Sequence, residues 1–462
     1  MDETDDSIEE TSQSIKEDDV SDLSWIQAVR RIISNRNWTI YVSTVWIYSS
    51  MFVFHSYWTL YFRDIGISYI FTGVLFSLMY LMTLIGSFFS GYIVDNYDRR
   101  NLTVITMIFP VIVYLTLALS TDGFVIALAL LIGGLSEFTS GSGNAYHMEQ
   151  LDRRLGGVAQ SLFTLGTALG VIPLYVFALM LDFGITFVIA MRVFFFIAAI
   201  LQICVVLIRA FGLEQIPLPE RPERSDSLLK DFMSENIRGF KLLVRVLPVL
   251  LLVLTLDALS DSFYGFASTY FVNETLEFGY IEINLMILIT LFISVPLALV
   301  LGRVFDKRGG QRLTLAVYSI MPISILLLII SQYIRYIAPS SWIAALDSIY
   351  PGLSVIFSLA FIAIAMKSIN DILWIAVIDT YILKSIPVAD FGKMYTYVRV
   401  LPTIFLVIGP FLAGVIYTNW QGLPLLLITV ILNVALLIVI ATKRLEPRVS
   451  IEKLEYESTV RE

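Results

Sequence analysis

Six ionisable side chains, His55, Glu137, Asp257, Asp261, Lys367 and Asp371, stand inside long apolar runs. A charge at the centre of a bilayer costs at least about 2.5 to 3.5 kcal/mol, so each must face a partner or a cavity. Such a set can bind a small polar or ionic solute and exchange protons; it requires no covalent step. Asp257 and Asp261 are one helical turn apart with no basic residue one turn away, so the pair is expected to share a proton. Lys367 and Asp371, also spaced by one turn, either pair within their helix or contact substrate. Glu137 stands among Gly133, Gly134, Gly141 and Gly143 and either faces a cavity or bonds to a facing helix. His55 is either a structural hydrogen-bonder or a proton relay.

The elements that must position these groups are membrane helices. Hydrophobic residues make up 57% of the 462 and charged residues 15%, and the mean hydropathy is +0.79, outside the range of soluble proteins. Twelve spans of about 20 residues would use nearly all of that apolar content. A soluble enzyme, a nucleic-acid binder and a large extramembrane receptor module are thereby excluded. One cysteine, Cys204, and two histidines leave no intrachain disulfide and no soft-metal site. No metal or cofactor is expected. No catalytic motif of the common hydrolase, metalloprotease or nucleotide-binding kinds is present, so the protein is expected not to be an enzyme. The N-terminus carries ten acidic residues and Lys16 in its first 22 positions and no short apolar segment, so no removable signal peptide is expected.

Apolar runs predict spans near 38–62, 68–94, 102–121, 123–149, 157–181 and 185–209, then 247–273, 281–304, 312–333, 350–383, 391–418 and 420–442. The tenth is too long for the hydrocarbon core and contains Pro351 and Gly352, so it should start in the interface or kink. With both termini cytoplasmic, 26 of the 31 basic residues fall in inward loops and tails, only Arg63 and Arg335 fall outside, and Arg192, Lys367 and Arg399 lie within spans. That bias sets the orientation. The expected organisation is an acidic tail with a short amphipathic segment over 1–37, a six-helix bundle over 38–209, a linker over 210–246, a second bundle over 247–442 and a tail over 443–462.

At about 1.5 Å per residue from the inner ends, Asp257, Asp371, Glu137 and Asp261 lie about 15 to 21 Å deep, near the middle of the core. Asp257, Asp261, Tyr264 and Ser268 share one side of span 7, and Tyr48, Phe52, His55 and Thr59 share one side of span 1. With Asn144 on span 4 and Asn370 and Trp374 beside the Lys367 pair, these stripes describe a polar cavity with aromatic walls.

The two halves repeat. Gly91, Asp95, Arg99 and Arg100 follow span 2, and Gly302, Asp306, Lys307 and Arg312 follow span 8, so the glycine and the aspartate recur at an offset of 211. This pattern resembles the signature loop of the major facilitator superfamily, with Asn96 and Asp98 of the first copy departing from it. The resemblance covers roughly 38–442 and implies twelve helices in two pseudo-symmetric bundles, an all-α membrane fold whose spans 1, 4, 7 and 10 line a central cavity. This sequence places His55, Glu137, Asp257, Asp261, Lys367 and Asp371 on those four spans. The resemblance also implies a gating role for the two loops, with Glu149 and Asp379 as acidic members of the network, while Arg399 either pairs with Asp379 or Asp371 or receives an anion. Gly409, Pro410 and Gly414 are similar to the Gly-Pro element of drug antiporters, although here they fall in span 11.

The expected function is proton-coupled transport of a small organic solute by alternating access. Export of a cationic or neutral amphiphile leads, with symport of an organic anion or metabolite through Lys367 or Arg399 as the alternative, and a non-transporting sensor as the rival class. The expected partners are a small-molecule substrate, protons and the lipid bilayer, with no nucleic acid, for a monomer in the plasma membrane.

Overall fold

The computed structural model describes residues 25–150, 159, 162, 163, 166, 168–215, 237, 240, 241, 243–308, 311–385, 391–443 and 445. Among them the chain is helical and has no strand, only a bridge between Tyr336 and Ser358. The first half comprises α1 (Trp25–Ser34), α2 (Arg36–Phe52), α3 (Trp58–Asp64), α4 (Tyr69–Asn96), α5 (Arg99–Leu119), α6 (Gly123–Gly134), α7 (Gly141–Glu149), α8 (Val171–Asp182) and α9 (Phe187–Gly212). The second comprises α10 (Pro248–Tyr270), α11 (Tyr280–Arg308), α12 (Gln311–Ile330), α13 (Ser340–Ile349), α14 (Leu359–Ser385), α15 (Phe391–Trp420) and α16 (Gly422–Thr442). Eight helices among the described residues are long and apolar enough to cross a membrane.

Short polar residues start the helices. Asn35 accepts from Trp38 N at 3.1 Å and donates to Gln150 O at 2.8 Å, which bends the chain between α1 and α2 and ties that bend to the end of α7. Asp98 accepts from Arg100 N at 2.9 Å, and Asp122 from Phe124 N at 2.8 Å. Asp98, which departs from the signature pattern, thus caps α5.

Two expected spans are interrupted. A 3-10 turn at Val53–Tyr57 separates α2 from α3, and another at Leu135–Phe138 lies between α6 and α7. A π turn at Phe271–Thr275 ends α10. The three irregular turns carry His55, Glu137 and Glu274, and such breaks commonly mark functional hinges. The tenth run breaks at the Pro351-Gly352 pair, where a kink or a late start was expected: Gly352 takes φ +81°, a 3-10 turn covers Leu353–Phe357, and the helix begins only at Leu359. Helix α13 was not legible in the sequence, because ten residues are too few to span, and its Trp342 and Ile349 stay exposed.

Packing divides the molecule unevenly. At the end that carries Arg63, one apolar core runs through both halves, from Phe54, Tyr57 and Phe177 to Phe266, Tyr270 and Phe271. Toward the other end, separate clusters form: Trp38, Tyr41 and Tyr146 in the first half, and Leu250, Leu254, Tyr318 and Trp374 in the second, with Phe88 of α4 the first-half residue packed against the latter half. The halves are therefore joined at the Arg63 end and more separate at the other. Glycine makes that junction possible: a Cβ on Gly73 would overlap the Pro410 carbonyl, and one on Gly414 would lie 3.1 Å from Ile70 Cα. The Gly-Pro element of α15 is thus the surface against which α4 packs, backbone to backbone.

Candidate functional site

A cavity of about 790 Å³ lies between the halves, below the shared core. Tyr48, Phe52 and His55 of the broken first span, Glu137 of the 3-10 turn, and Asp261 and Ser268 of α10 all line it. The walls are aromatic, with Trp58, Phe76, Tyr80, Tyr114 and Phe266, and the lining also includes Gln202. These last six carry no ionisable signal in an apolar sequence, which is why charge alone did not pick them out.

Glu137 is fixed by its backbone. A Cβ on Gly86 would lie 2.6 Å from Glu137 Cβ, so α4 presses directly against the turn and aims the carboxylate at the cavity. Among the described residues no cation pairs with it. His55 Nδ1 lies 2.9 Å from the Phe52 carbonyl, and its ring stacks on Trp58 at 4.3 Å.

The carboxylates of α10 part company. Asp261 faces the cavity and accepts from Lys367 Nζ at 3.0 Å; Lys367 also donates to Asp371 and lies 5.1 Å from the Tyr264 ring. Lys367 is buried, while the Asp261 and Asp371 side chains remain 42% and 45% exposed. Asp261 thus takes its cation from α14, across the helix packing, although its own helix offers no basic residue one turn away. The expected place of Asp257 on the cavity side of α10 is corrected. That residue lies buried behind the cavity, held by Tyr318 Oη at 2.8 Å and Trp374 Nε1 at 2.7 Å. Four residues along the helix rotate a side chain about 40°, enough to turn it from the cavity to the α12 and α14 side. Trp374 thus serves Asp257 rather than the cavity wall, and Asn370 is buried with Nδ2 3.5 Å from Met321 Sδ.

Of the expected gating residues, Arg100 donates to the Ala210 carbonyl, Arg99 is half-buried and Arg312 is exposed. Gly91, Asp95, Asn144, Glu149, Gly302, Asp306, Lys307, Asp379 and Arg399 are placed on their helices, but their side chains lie outside the described residues. Arg209, counted from sequence with the loop charges, is buried instead: it donates to Thr44 Oγ1 at 2.9 Å and Thr103 O at 3.2 Å and lies 4.6 Å from the Tyr41 ring.

A second polar cluster, not anticipated from the sequence, closes the Arg63 end. Arg63 Nη1 donates to Glu274 Oε1 and Asn273 Oδ1, both at 2.8 Å, and Nη2 donates to Tyr280 Oη at 2.9 Å and Asp64 Oδ1 at 2.8 Å. Glu274 also accepts from Tyr69 at 3.0 Å and Tyr417 at 2.6 Å. Nearby, Tyr57 donates to Asn284 at 2.7 Å, Asn284 donates to Leu174 O at 3.0 Å, and Tyr270 donates to Thr59 O at 2.8 Å. Each of these three contacts, like those from Arg63 to Glu274, Asn273 and Tyr280, joins the first half to the second. Burial disfavours the Arg63 charge, but the Glu274 and Asp64 carboxylates outweigh it and hold its proton above the ordinary arginine value.

A multi-pass helical membrane protein with a solute-sized cavity between two halves, latched at one end, has the build of a secondary transporter. The sequence profile of the Major Facilitator Superfamily matches residues 6–174 and 40–373, and the chain belongs to that family. It is an integral membrane protein of the transporter class. Its fold is similar to that of the human organic anion transporter MFSD10 (TETRAN), with a TM-score of 0.53 and 13% identity over 89% of this chain and 99% of that one. It is also similar to a mutant form of the nucleoside transporter NupG, with a TM-score of 0.57 and 14% identity over 88% and 99%. Among curated proteins none matches.

Proposed function

We propose that the protein exports a cationic or neutral amphiphile in exchange for protons by alternating access. In this reading it is a twelve-span monomer of the plasma membrane, with both termini cytoplasmic and its Arg63 end outward. The observation that carries the reading is the charge of the cavity. Glu137 and Asp261 line it, Asp371 stands beside them, and the one cation near them among the described residues, Lys367, is held between Asp261 and Asp371. Three carboxylates against one ammonium leave an excess of negative charge, and the Trp58, Tyr80 and Tyr114 rings add faces that attract cations. An organic anion would have to displace two carboxylates from Lys367 before that residue could receive it, which disfavours the organic-anion alternative, the solute class named for one structural relative. Alternating access is supported by the core that the halves share at the Arg63 end and divide at the other.

Thermal unfolding of the purified protein with N-methylphenylpyridinium tests the reading, because a ligand that binds only the folded state raises the midpoint. Stabilisation is expected at roughly pH 8 and much less at roughly pH 5.5, where protons compete for the carboxylates. Glu137→Gln should weaken binding at least about tenfold, the loss of one charge contact worth about 1.4 kcal/mol. Stabilisation by aminohippurate and not by the pyridinium would overturn the cation reading.

A further inference from the structure

Behind the cavity the polar side chains of α10, α12, α14 and α16 form a buried chain whose hydrogens can be counted. Asn433 Nδ2 donates to Thr429 O at 2.8 Å and to Ser260 Oγ at 2.6 Å. Thr429 O is a carbonyl and can only accept, so Asn433 cannot be flipped: its nitrogen faces Thr429 and its oxygen faces Tyr318. Tyr318 Oη lies 2.8 Å from Asn433 Oδ1 and 2.8 Å from Asp257 Oδ1. The indole Trp374 Nε1, which can only donate, takes Asp257 Oδ2 at 2.7 Å. Asp257, Ser260, Tyr318, Trp374 and Asn433 are all buried, so each contact needs its own hydrogen.

Tyr318 has one hydrogen for two oxygen neighbours. If Asp257 is ionised, Tyr318 must donate to it, and Asn433 Oδ1 is left against a bare phenol oxygen at 2.8 Å. If Asp257 carries a proton on Oδ1, that proton goes to Tyr318 Oη, the Tyr318 proton goes to Asn433 Oδ1, and every contact holds one hydrogen. We infer that Asp257 is the proton-binding site in this conformation, and that Tyr318 and Asn433 relay its occupancy to the packing of α12 and α16. Loss of the proton turns the Tyr318 hydroxyl back toward Asp257 and sets two acceptors against each other. Helices α12 and α16 must then separate or rotate. Among the described residues the charged groups near Asp257 are Asp261 on its own helix and Lys367 on α14, and Lys367 is occupied by Asp261 and Asp371.

The inference deepens the proton-exchange reading and rests on it for its consequence in transport, but its test needs neither substrate nor flux. Infrared spectra of the full-length protein in lipid are recorded from about pH 5 to about pH 9. The carbonyl band of a neutral carboxylic acid should be present at about pH 7, absent in Asp257→Asn and retained in Asp261→Asn. Asn433→Leu removes the acceptor of the Tyr318 hydrogen and frees that hydroxyl for the Asp257 anion, so the band should titrate about one pH unit lower, a tenfold loss of proton affinity. A band at about pH 7 that survives in Asp257→Asn, or an unchanged or raised midpoint in Asn433→Leu, overturns the inference. Failure of gradient-driven transport with these infrared results intact would overturn the transport reading alone.

Discussion

Replacing Lys367 with methionine lowers unfolding stability by about 2 to 3 kcal/mol and reduces pyridinium flux at least tenfold. The substitution preserves length and apolar packing but removes the ammonium that Asp261 and Asp371 share. Two carboxylates bound to one nitrogen stand close together once it is gone. Breaking a fully buried pair costs about 3 to 5 kcal/mol; here the Asp261 and Asp371 side chains are 42% and 45% exposed, and water screens part of the repulsion. Two comparisons separate this from a simple packing defect. Adding Asp371→Asn to Lys367→Met should restore about half of the loss, because one carboxylate alone no longer meets a like charge. Asp261→Asn by itself should cost about 1 kcal/mol or less, since Lys367 keeps Asp371. Denaturant or thermal unfolding in detergent checks all three, and equal losses in the single and double variants would contradict the shared-cation arrangement.

Glu274→Gln should open the Arg63 end. The glutamate joins Arg63, Tyr69 and Tyr417, so one carboxylate ties α3 and α4 of the first half to the second-half helices. Glutamine keeps the shape but loses the charge-assisted bond and offers only one acceptor to three donors. A hydrogen bond to a charged group contributes about 1.5 to 3 kcal/mol, which converts to a shift of roughly 10- to 150-fold in the ratio of closed to open molecules. Spin labels on Thr121→Cys and Ser340→Cys, with Cys204→Ser to remove the exposed native thiol, report the width of this end. The distance distribution should broaden and lengthen in Glu274→Gln. The parent should stay closed as the pH rises to about 10: with its proton held above the ordinary arginine value, Arg63 contributes stability below that value and loses it only above its own raised one. An unchanged distance in Glu274→Gln would show that the shared aromatic core, not the ionic cluster, holds this end shut.

What the sequence made legible was charge against an apolar background. His55, Glu137, Asp261, Lys367 and Asp371 stood out because ionisable groups are rare in membrane helices, and the structure gathers them in or beside one cavity. The recurrence of Gly91 and Asp95 as Gly302 and Asp306 led to the family. Direction around a helix was less legible. Asp257 and Asp261 looked like one stripe, yet a rotation of about 40° puts the first behind the cavity and the second on it. Partners from other helices were not legible at all: Lys367 lies 106 positions from Asp261, and Arg63 lies 211 positions from Glu274. Tyr318, Ser260 and Asn433 gave no signal because neutral polar residues are common in spans, although together they decide how Asp257 is bonded. Arg209 misled in the opposite direction, since a basic residue at a span end normally reaches the interface, while here Thr44, Thr103 and the Tyr41 ring hold it inside.

The most direct test of the account is flux. Purified protein is reconstituted into liposomes with the interior more acidic than the bath and the membrane potential clamped, and uptake of N-methylphenylpyridinium is followed. Accumulation that collapses with the pH gradient, and that Glu137→Gln abolishes, is the predicted result. Equal uptake with and without the gradient, or accumulation of aminohippurate in its place, would contradict proton-driven movement of a cation through this cavity.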